Sequence, residues 1–341
     1  MSSTAIDAAT CAAAGVAIPL ASRHSALRLR ARLNAMVRAF FAARGVVEVE
    51  TPCLSRAGNI DPNIASFTLE FTGPQHGGPR QRWLRTSPEF ALKRLLAEGF
   101  GDCYELGRVF RNGESGGRHN PEFTMLEWYR LGWDHHRLCE ETIALVVEAM
   151  ALVGRVPTSV RRIDFATLYR EVFGFDPHSA SIDTLRAPLA DIAIDAGGLT
   201  RDDWLDLLMT HRLQPAFAAD VITVVHDWPA TQCALARVRP GASAGAPSLA
   251  ERFEIYLGPI ELANGYHELN DAIEQRKRFE HDHAIRRRRG EVLPPIDEAL
   301  LAALPSLPDC AGVALGVDRL LMAMVRSDRI ADVLAFDFAQ A

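Results

Sequence analysis

The sequence predicts an α+β fold in which an antiparallel β-sheet is flanked by helices. Strand-like segments occur as neighbours joined by hairpin signals, as in "CYELGRVFR" and "EFTMLEWYR" around "NGESGGRHNP", and helical segments are inserted between such pairs. The size agrees. At 341 residues, 48% hydrophobic and 23% charged, the chain can bury a sizeable core as one large domain or two modest ones.

The elements follow in order. Apolar residues recur at helical spacing from His24 to Arg44, and Gly45 supplies the stop. "VVEVETP" then reads as a strand ending at Pro52. "WLRTSPEFALKRLLAEGFG" reads as a short strand feeding a helix, with Ser87 as N-cap, Pro88 at the first helical position and Gly99 at the end. The two strands of the opening pair come next. Residues 135 to 215 read as mostly helical, with pieces such as "FATLYREVFG" and "DDWLDLLMTHRL". "VITVVH" and "RFEIYLGPIELA" read as strands, Asn264-Gly265 as a turn, and residues 268 to 289 as a long charged helix. "GVALGVDRLLMAMV" closes the chain as a strand running into a helix.

Composition excludes several functional classes. The net charge of −6 provides no global positive field for a polyanion, so any phosphate chemistry must be local. Six scattered cysteines without a C-x-x-C pair fit free thiols in a reducing compartment, which points to the cytoplasm. The apolar run "CAAAGVAIPLA" lacks a preceding basic residue and is too short to span a bilayer, so residues 1–22 read as a disordered tail. The only lysines, Lys93 and Lys277, sit in neither a P-loop nor a kinase context. A bound nucleotide must therefore be held by arginine.

Three clusters carry candidate chemistry. Strand alternation puts Phe123, Met125, Glu127 and Tyr129 on one face, and Glu105, Gly107, Val109 and Arg111 on one face of the partner strand. If the faces coincide, an arginine, two carboxylates, a phenol and a phenylalanine ring converge; a half-buried sheet with ordinary salt bridges is the bland alternative. In "IELANGYHELND", Glu261 and Glu268 flank the expected turn, where two carboxylates can ligate magnesium or receive an ammonium group. In "GVALGVDR", small residues precede Asp318 and Arg319, and an arginine at a helix start can hold phosphate. The run Arg286 to Arg289 reads as a solvated helix end or a docking patch for an acidic partner.

Taken together, "VFRN" with "RHNPEF" resembles motif 2 of class II aminoacyl-tRNA synthetases, "GVALGVDR" resembles motif 3, and "GVVEVETPCL" resembles motif 1 with its interface proline. "TSPEF", "RHNPEFTMLEWY", "ERFEIYLGPIELANGYHELND" and "PATQCALAR" are similar to the lysyl branch. The resemblance covers nearly everything from His24 onward, in a very specific order. It implies a class II synthetase-like catalytic domain over residues 23–341 that binds ATP and magnesium. Arg111 and Arg319 are the implied catalytic residues, on the α-phosphate and the far phosphates. The implied ATP pocket also takes Asn112, Gly113, His119, Asn120, Phe123 stacked on adenine, Glu261, the backbone of Leu262, and Gly316. The implied amino-acid pocket takes Ser87, Pro88, Glu89, Glu105, Tyr129, Asn264, Glu268 and Ala314. Glu261 and Glu268 are the implied metal ligands.

About 45 residues precede motif 1, fewer than an anticodon-reading barrel needs. The chain thus resembles the stand-alone lysyl-tRNA synthetase paralogues that modify elongation factor P. That resemblance implies activation of (R)-β-lysine, less well lysine, as an adenylate, transfer to a lysine side chain of elongation factor P, a homodimer, and no stable tRNA binding. Two details differ from the lysyl pattern. Ala314 stands where motif 3 usually has glycine, and Gly113 stands where motif 2 usually has its acid, with Glu114 next. A minimal synthetase charging RNA and a catalytically silent binding subunit are the alternatives.

Overall fold

The computed structural model describes residues 23–74, 78–243 and 245–341; the expected tail at 1–22 lies outside the described residues. Helix α1 (Arg23–Ala42) buries Leu29, Leu33, Val37, Phe40 and Phe41 on one face, each contributing roughly 1.5–3 kcal/mol. Strands β1 (Val47–Glu48), β2 (Leu54–Ser55), β3 (Thr68–Glu70) and β4 (Gln81–Leu84) follow, then α2 (Glu89–Ala97). The expected strand at 46–52 is thus only two residues long. Gly99 follows α2 with φ +86°, as the sequence predicts, but the helix starts one residue later than expected: Pro88 is its N-cap rather than its first residue, and Ser87 lies just outside, its Oγ accepting from the Glu89 N–H at 2.9 Å.

The hairpin of β5 (Cys103–Phe110) and β6 (Glu122–Leu131) leads into α3 (His135–Ala151). Next come β7 (Ser159–Asp164), α4 (Phe165–Phe173), α5 (Ile182–Arg186), α6 (Arg201–Leu208), β8 (Val221–Pro229) and β9 (Val238–Arg239). The last part holds β10 (Leu249–Leu257), β11 (Ile260–His267), α7 (Ala272–Arg288), α8 (Glu298–Ala303), β12 (Cys310–Gly316) and α9 (Val317–Val325).

Among the described residues, nine strands form one sheet in the order β1-β5-β6-β12-β11-β10-β8-β7, with β9 on β10, while β2-β4-β3 form a small second sheet. The large sheet is antiparallel except at its edges, where β1 pairs with β5 and β7 with β8 in parallel. Residues 135–215 are mostly helical as expected, with one strand, β7, that the sequence reading did not separate out. Its exposed Arg161 and Arg162 hide the strand pattern, and such charges suit an edge that must not pair further.

Two further expectations are corrected. Asn264-Gly265 is no turn: both lie inside β11, opposite Glu254 and Phe253 of β10. The turn falls instead between Leu257 and Ile260, where Gly258 has φ +54°. Gly265 is needed because a Cβ there would sit 2.4 Å from the Phe253 ring. Glu268 precedes α7, whose N-cap is Asp271. In the arginine run, Arg286 is neither solvated nor a docking residue. It is 5% exposed and donates to the carbonyls of Ile60 and Ile64 at 2.8 Å, tying α7 to the 59–64 loop.

One sheet face packs on α1, α3 and α9 through Leu126, Trp128, Val313 and Leu315. The alternate residues Glu127, Tyr129, Gly312 and Ala314 therefore point the other way, beside α2, α7 and α8. Helices α4 to α6 form a separate apolar cluster with Val225, Trp228 and Tyr256. No described helix is long and apolar enough to cross a membrane, and the five described cysteines are free.

Candidate active site

The register of β5 and β6 sets Glu105 opposite Glu127, Gly107 opposite Met125 and Val109 opposite Phe123. The two faces singled out in the sequence therefore coincide. Beside them lies a cavity of about 220 Å³ whose lining includes Ser87, Glu89, Arg111, His119, Asn120, Phe123, Tyr129, Glu261, Leu262, Asn264, Glu268, Ala314, Gly316 and Arg319. Pro88 lines an adjoining cavity of about 870 Å³, which shares Ser87, Glu89 and Tyr266 with the first.

Three expected residues line neither cavity: Glu105, Asn112 and Gly113. Glu105 is 3% exposed and bound to Arg85 at 2.6 Å and to the Thr51 hydroxyl at 2.7 Å, so its carboxylate is committed to fastening the chain before β2 onto β5. Gly113 turns the loop with φ +84°. Glu114 lines the cavity in its place, 3.6 Å from Arg111.

One end of the cavity is built for phosphate. The Arg111 guanidinium lies 5.2 Å from the Phe123 ring centroid, and its buried Nε has no hydrogen-bond partner among the described residues. Arg319 donates to His119 Nε2 at 2.7 Å and to Glu261 at 3.2 Å. Burial, with the Arg319 charge beside it, pushes the His119 imidazole below its ordinary pKa. A neutral ring accepting at Nε2 is what that contact requires. The preceding residue, Asp318, accepts from the Thr124 backbone N–H at 2.7 Å and from Arg30, which fastens the start of α9 to β6 and α1.

The other end is built for cationic groups. Glu127 accepts from Ser87 Oγ at 2.6 Å and from the Tyr129 hydroxyl at 2.8 Å. Burial, reinforced by the charge of Glu89, pushes its carboxyl up to about 8. Lys93 lies 2.6 Å from both Glu89 and Glu268 and is 2% exposed. Burial alone would discharge its ammonium, but the two carboxylates hold it protonated. Burial also raises the Glu268 carboxyl, against the opposing pull of Lys93. Three acids against one lysine leave the pocket able to take further positive charge as Glu127 gives up its proton.

The sequence reading counted Glu127 among the converging groups but gave it no place in the pocket, and it gave none to Lys93, Tyr266 or Gly312. Glu127 stands on the same strand face as Tyr129, and that alternation was its signal. Lys93 stands four residues after Glu89, the spacing of an intrahelical pair. Tyr266 donates no such signal; its ring reaches the cavity, and its hydroxyl accepts from Asn264 at 3.0 Å. Gly312 admits Glu268 and Tyr129, since a Cβ there would come within 2.4 Å of both side chains.

An antiparallel sheet bearing an arginine hairpin, an acid on the neighbouring strand and an arginine at the head of the closing helix defines a synthetase of class II. The family model for class II tRNA synthetases (D, K and N) matches residues 18–340. A protein of Vibrio cholerae named elongation factor P–(R)-β-lysine ligase is 44% identical over 321 residues, 93% of this chain and 96% of the relative. Proteins of the same name from Vibrio vulnificus and Klebsiella pneumoniae are 44% and 43% identical, over 92% of this chain and 95% and 94% of theirs. The chain belongs to the class II synthetase family and, within it, to the elongation factor P–(R)-β-lysine ligases, a family of ATP-dependent ligases.

Proposed function

We propose that the protein activates (R)-β-lysine with ATP and transfers it to a lysine side chain of elongation factor P. The observation that carries this reading is the two-ended cavity, with arginines at one end and Glu89, Glu127 and Glu268 at the other. Such a cavity can hold the carboxylate of a diamino acid against a triphosphate while its ammonium groups reach the acids. The relatives' names supply the particular amino acid and acceptor.

In the first step a carboxylate oxygen attacks the α-phosphorus, an aminoacyl adenylate forms, and pyrophosphate leaves. Arg111 and Arg319 stabilise negative charge on the phosphates, and Phe123 offers a face for adenine stacking. Glu114 takes the place of the usual motif 2 acid. In the second step a neutral acceptor amine attacks the carbonyl carbon, an amide forms, and AMP leaves with the bonding electron pair while the amine gives up a proton.

Magnesium would neutralise phosphate charge when bound. Glu261 fits it as an oxygen ligand open to the cavity, and Glu254 is the acid whose carboxyl feels Glu261 from the next strand. Glu268 fits poorly as a ligand because Lys93 already holds it, so we assign it to the amine pocket. Val47 and Leu54, about half exposed on either side of Pro52, suit a homodimer interface in this region. We place the enzyme in the cytoplasm and expect no stable tRNA complex.

The test is pyrophosphate exchange with (R)-β-lysine, (S)-β-lysine and α-lysine, followed by mass spectrometry of elongation factor P and lysine tRNA from the same mixture. Exchange led by (R)-β-lysine with a mass gain on the protein is expected. Charging of the tRNA instead, or no exchange with any isomer, would overturn the reading.

A further inference from the structure

On the opposite face of the sheet from the cavity, where the apolar core ends, four imidazoles and several carboxylates gather around the start of α3. His135 is at their centre. It is 2% exposed, and neither ring nitrogen has a hydrogen-bond partner among the described residues. An imidazole so deeply buried normally finds a partner for both nitrogens. Its ring lies 4.0 Å from that of His136 and 6.4 Å from that of His267.

Two sets of potential ligands share His135, each with donor atoms within 4.8 Å of one another: His135 with Glu251 and His267, and His135 with His136 and Asp227. The second set is the poorer one. Asp227 is already paired with Arg239 at 2.8 Å and with His226 at 3.2 Å, so its carboxylate is committed elsewhere, whereas Glu251 feels the Arg239 charge without an ion pair to it. In the first set, His267 Nδ1 faces Glu251 at 2.6 Å, while Nε2 faces Asp309 at 3.0 Å. Asp309 is itself held by Arg237 at 2.7 Å. A carboxylate on the far nitrogen of a histidine is the arrangement that orients metal-binding imidazoles and fixes their tautomer.

We infer that His135, Glu251 and His267 form a binding site for a divalent transition metal, best suited to Zn²⁺, with Asp309 as the carboxylate behind His267. Two imidazoles and one carboxylate are donors that zinc accepts in tetrahedral geometry, with a water completing the set. A metal there would bind His267 through Nδ1 and leave Nε2–H donating to Asp309. It would join α3, β10 and the end of β11 that carries Tyr266 on its other face. This inference stands apart from the proposed ligase reaction.

The experiment uses the full chain without an affinity tag, stripped with a chelator. It is titrated with Zn²⁺ against a chromophoric competitor and, separately, with Co²⁺ read by visible absorption. The expected result is one metal per chain, intense tetrahedral Co²⁺ bands, and a rise in the thermal midpoint. Glu251→Gln and His135→Gln should weaken binding at least about tenfold, and Asp309→Asn about 10–100-fold. His136→Ala should leave it unchanged. Should His135→Gln fail to fold, the more exposed Asp309→Asn carries the test. No binding by the wild type, unchanged affinity in folded Glu251→Gln and Asp309→Asn, or loss of binding in His136→Ala would overturn the assignment.

Discussion

The ammonium of Lys93 lies 2.6 Å from the carboxylate of Glu268 and 2.6 Å from that of Glu89, with all three groups at the amine end of the cavity. One buried cation thus joins helix α2 to the residue that follows β11. It partly neutralises the acids without occupying the cavity itself.

Removing that cation is costly. Lys93→Met leaves Glu268 buried and unpaired, and breaking a buried pair from one side typically costs about 3–5 kcal/mol. Urea unfolding should report a loss of that size. Adding Glu268→Gln should recover part of it, and a double variant no more stable than the single one would contradict the pairing.

At the phosphate end, Arg111→Ala should lower pyrophosphate exchange by at least about 10²-fold, the order lost with a single charge-stabilising donor. The side chain is partly exposed and its one ion pair among the described residues is long at 3.6 Å, so the urea midpoint should change little. Normal exchange in this variant would remove Arg111 from the reaction.

Substrate affinity should depend on pH through Glu127. With its carboxyl pushed up to about 8, the free protein holds a proton there at neutral pH, and an incoming ammonium must displace it. The Kd of the diamino acid should therefore fall as pH rises from 6 to 8, by at most about tenfold per unit. The stability effect has the opposite sign. Between the ordinary carboxylate range and pH 8 the folded state binds more protons than the unfolded, so this group's contribution declines as pH rises. Glu127→Gln should flatten both profiles, as calorimetry and thermal melts would show.

Gly312→Ala places a methyl within 2.4 Å of Tyr129 and Glu268. Overpacking of this kind typically costs 1–3 kcal/mol. Because both displaced side chains line the amine end, KM for the amino acid should rise while KM for ATP holds. Equal effects on both would contradict the two-ended cavity.

Ala314 pairs with Asn264 on one side and Glu127 on the other. Ala314→Gly should shift preference toward α-lysine by the roughly 1–3 kcal/mol that a pocket methyl is worth. The ratio of kcat/KM for the two isomers measures it, and an unchanged ratio would show that the methyl does not face the substrate.

Much of the site was legible in the sequence because strand alternation is local. Once "CYELGRVFR" and "EFTMLEWYR" are read as partners, Arg111, Phe123 and Tyr129 fall on faces that can meet. The arginine at a helix start in "GVALGVDR" was equally legible. Lys93 was not, because a lysine four residues after a glutamate reads as a solvated helix pair. Only the packing of α2 against α8, beside the residue that follows β11, buries it and gives it Glu268. His135 gave no signal, since its burial depends on where α3 begins over the sheet.

By itself the sequence determined which residue types stand in each hairpin and helix start, the order of the elements, and the arginine-only choice for holding phosphate. The tertiary structure decided whether Asn264-Gly265 bends or runs straight, since the pair's local preference for a turn is overridden here by packing. The Phe253 ring settles it: Gly265 leaves the space that ring fills, so β11 continues and its side chains reach the cavity. Strand register joins residues far apart in the chain, and its energy lies in contacts that no local window contains.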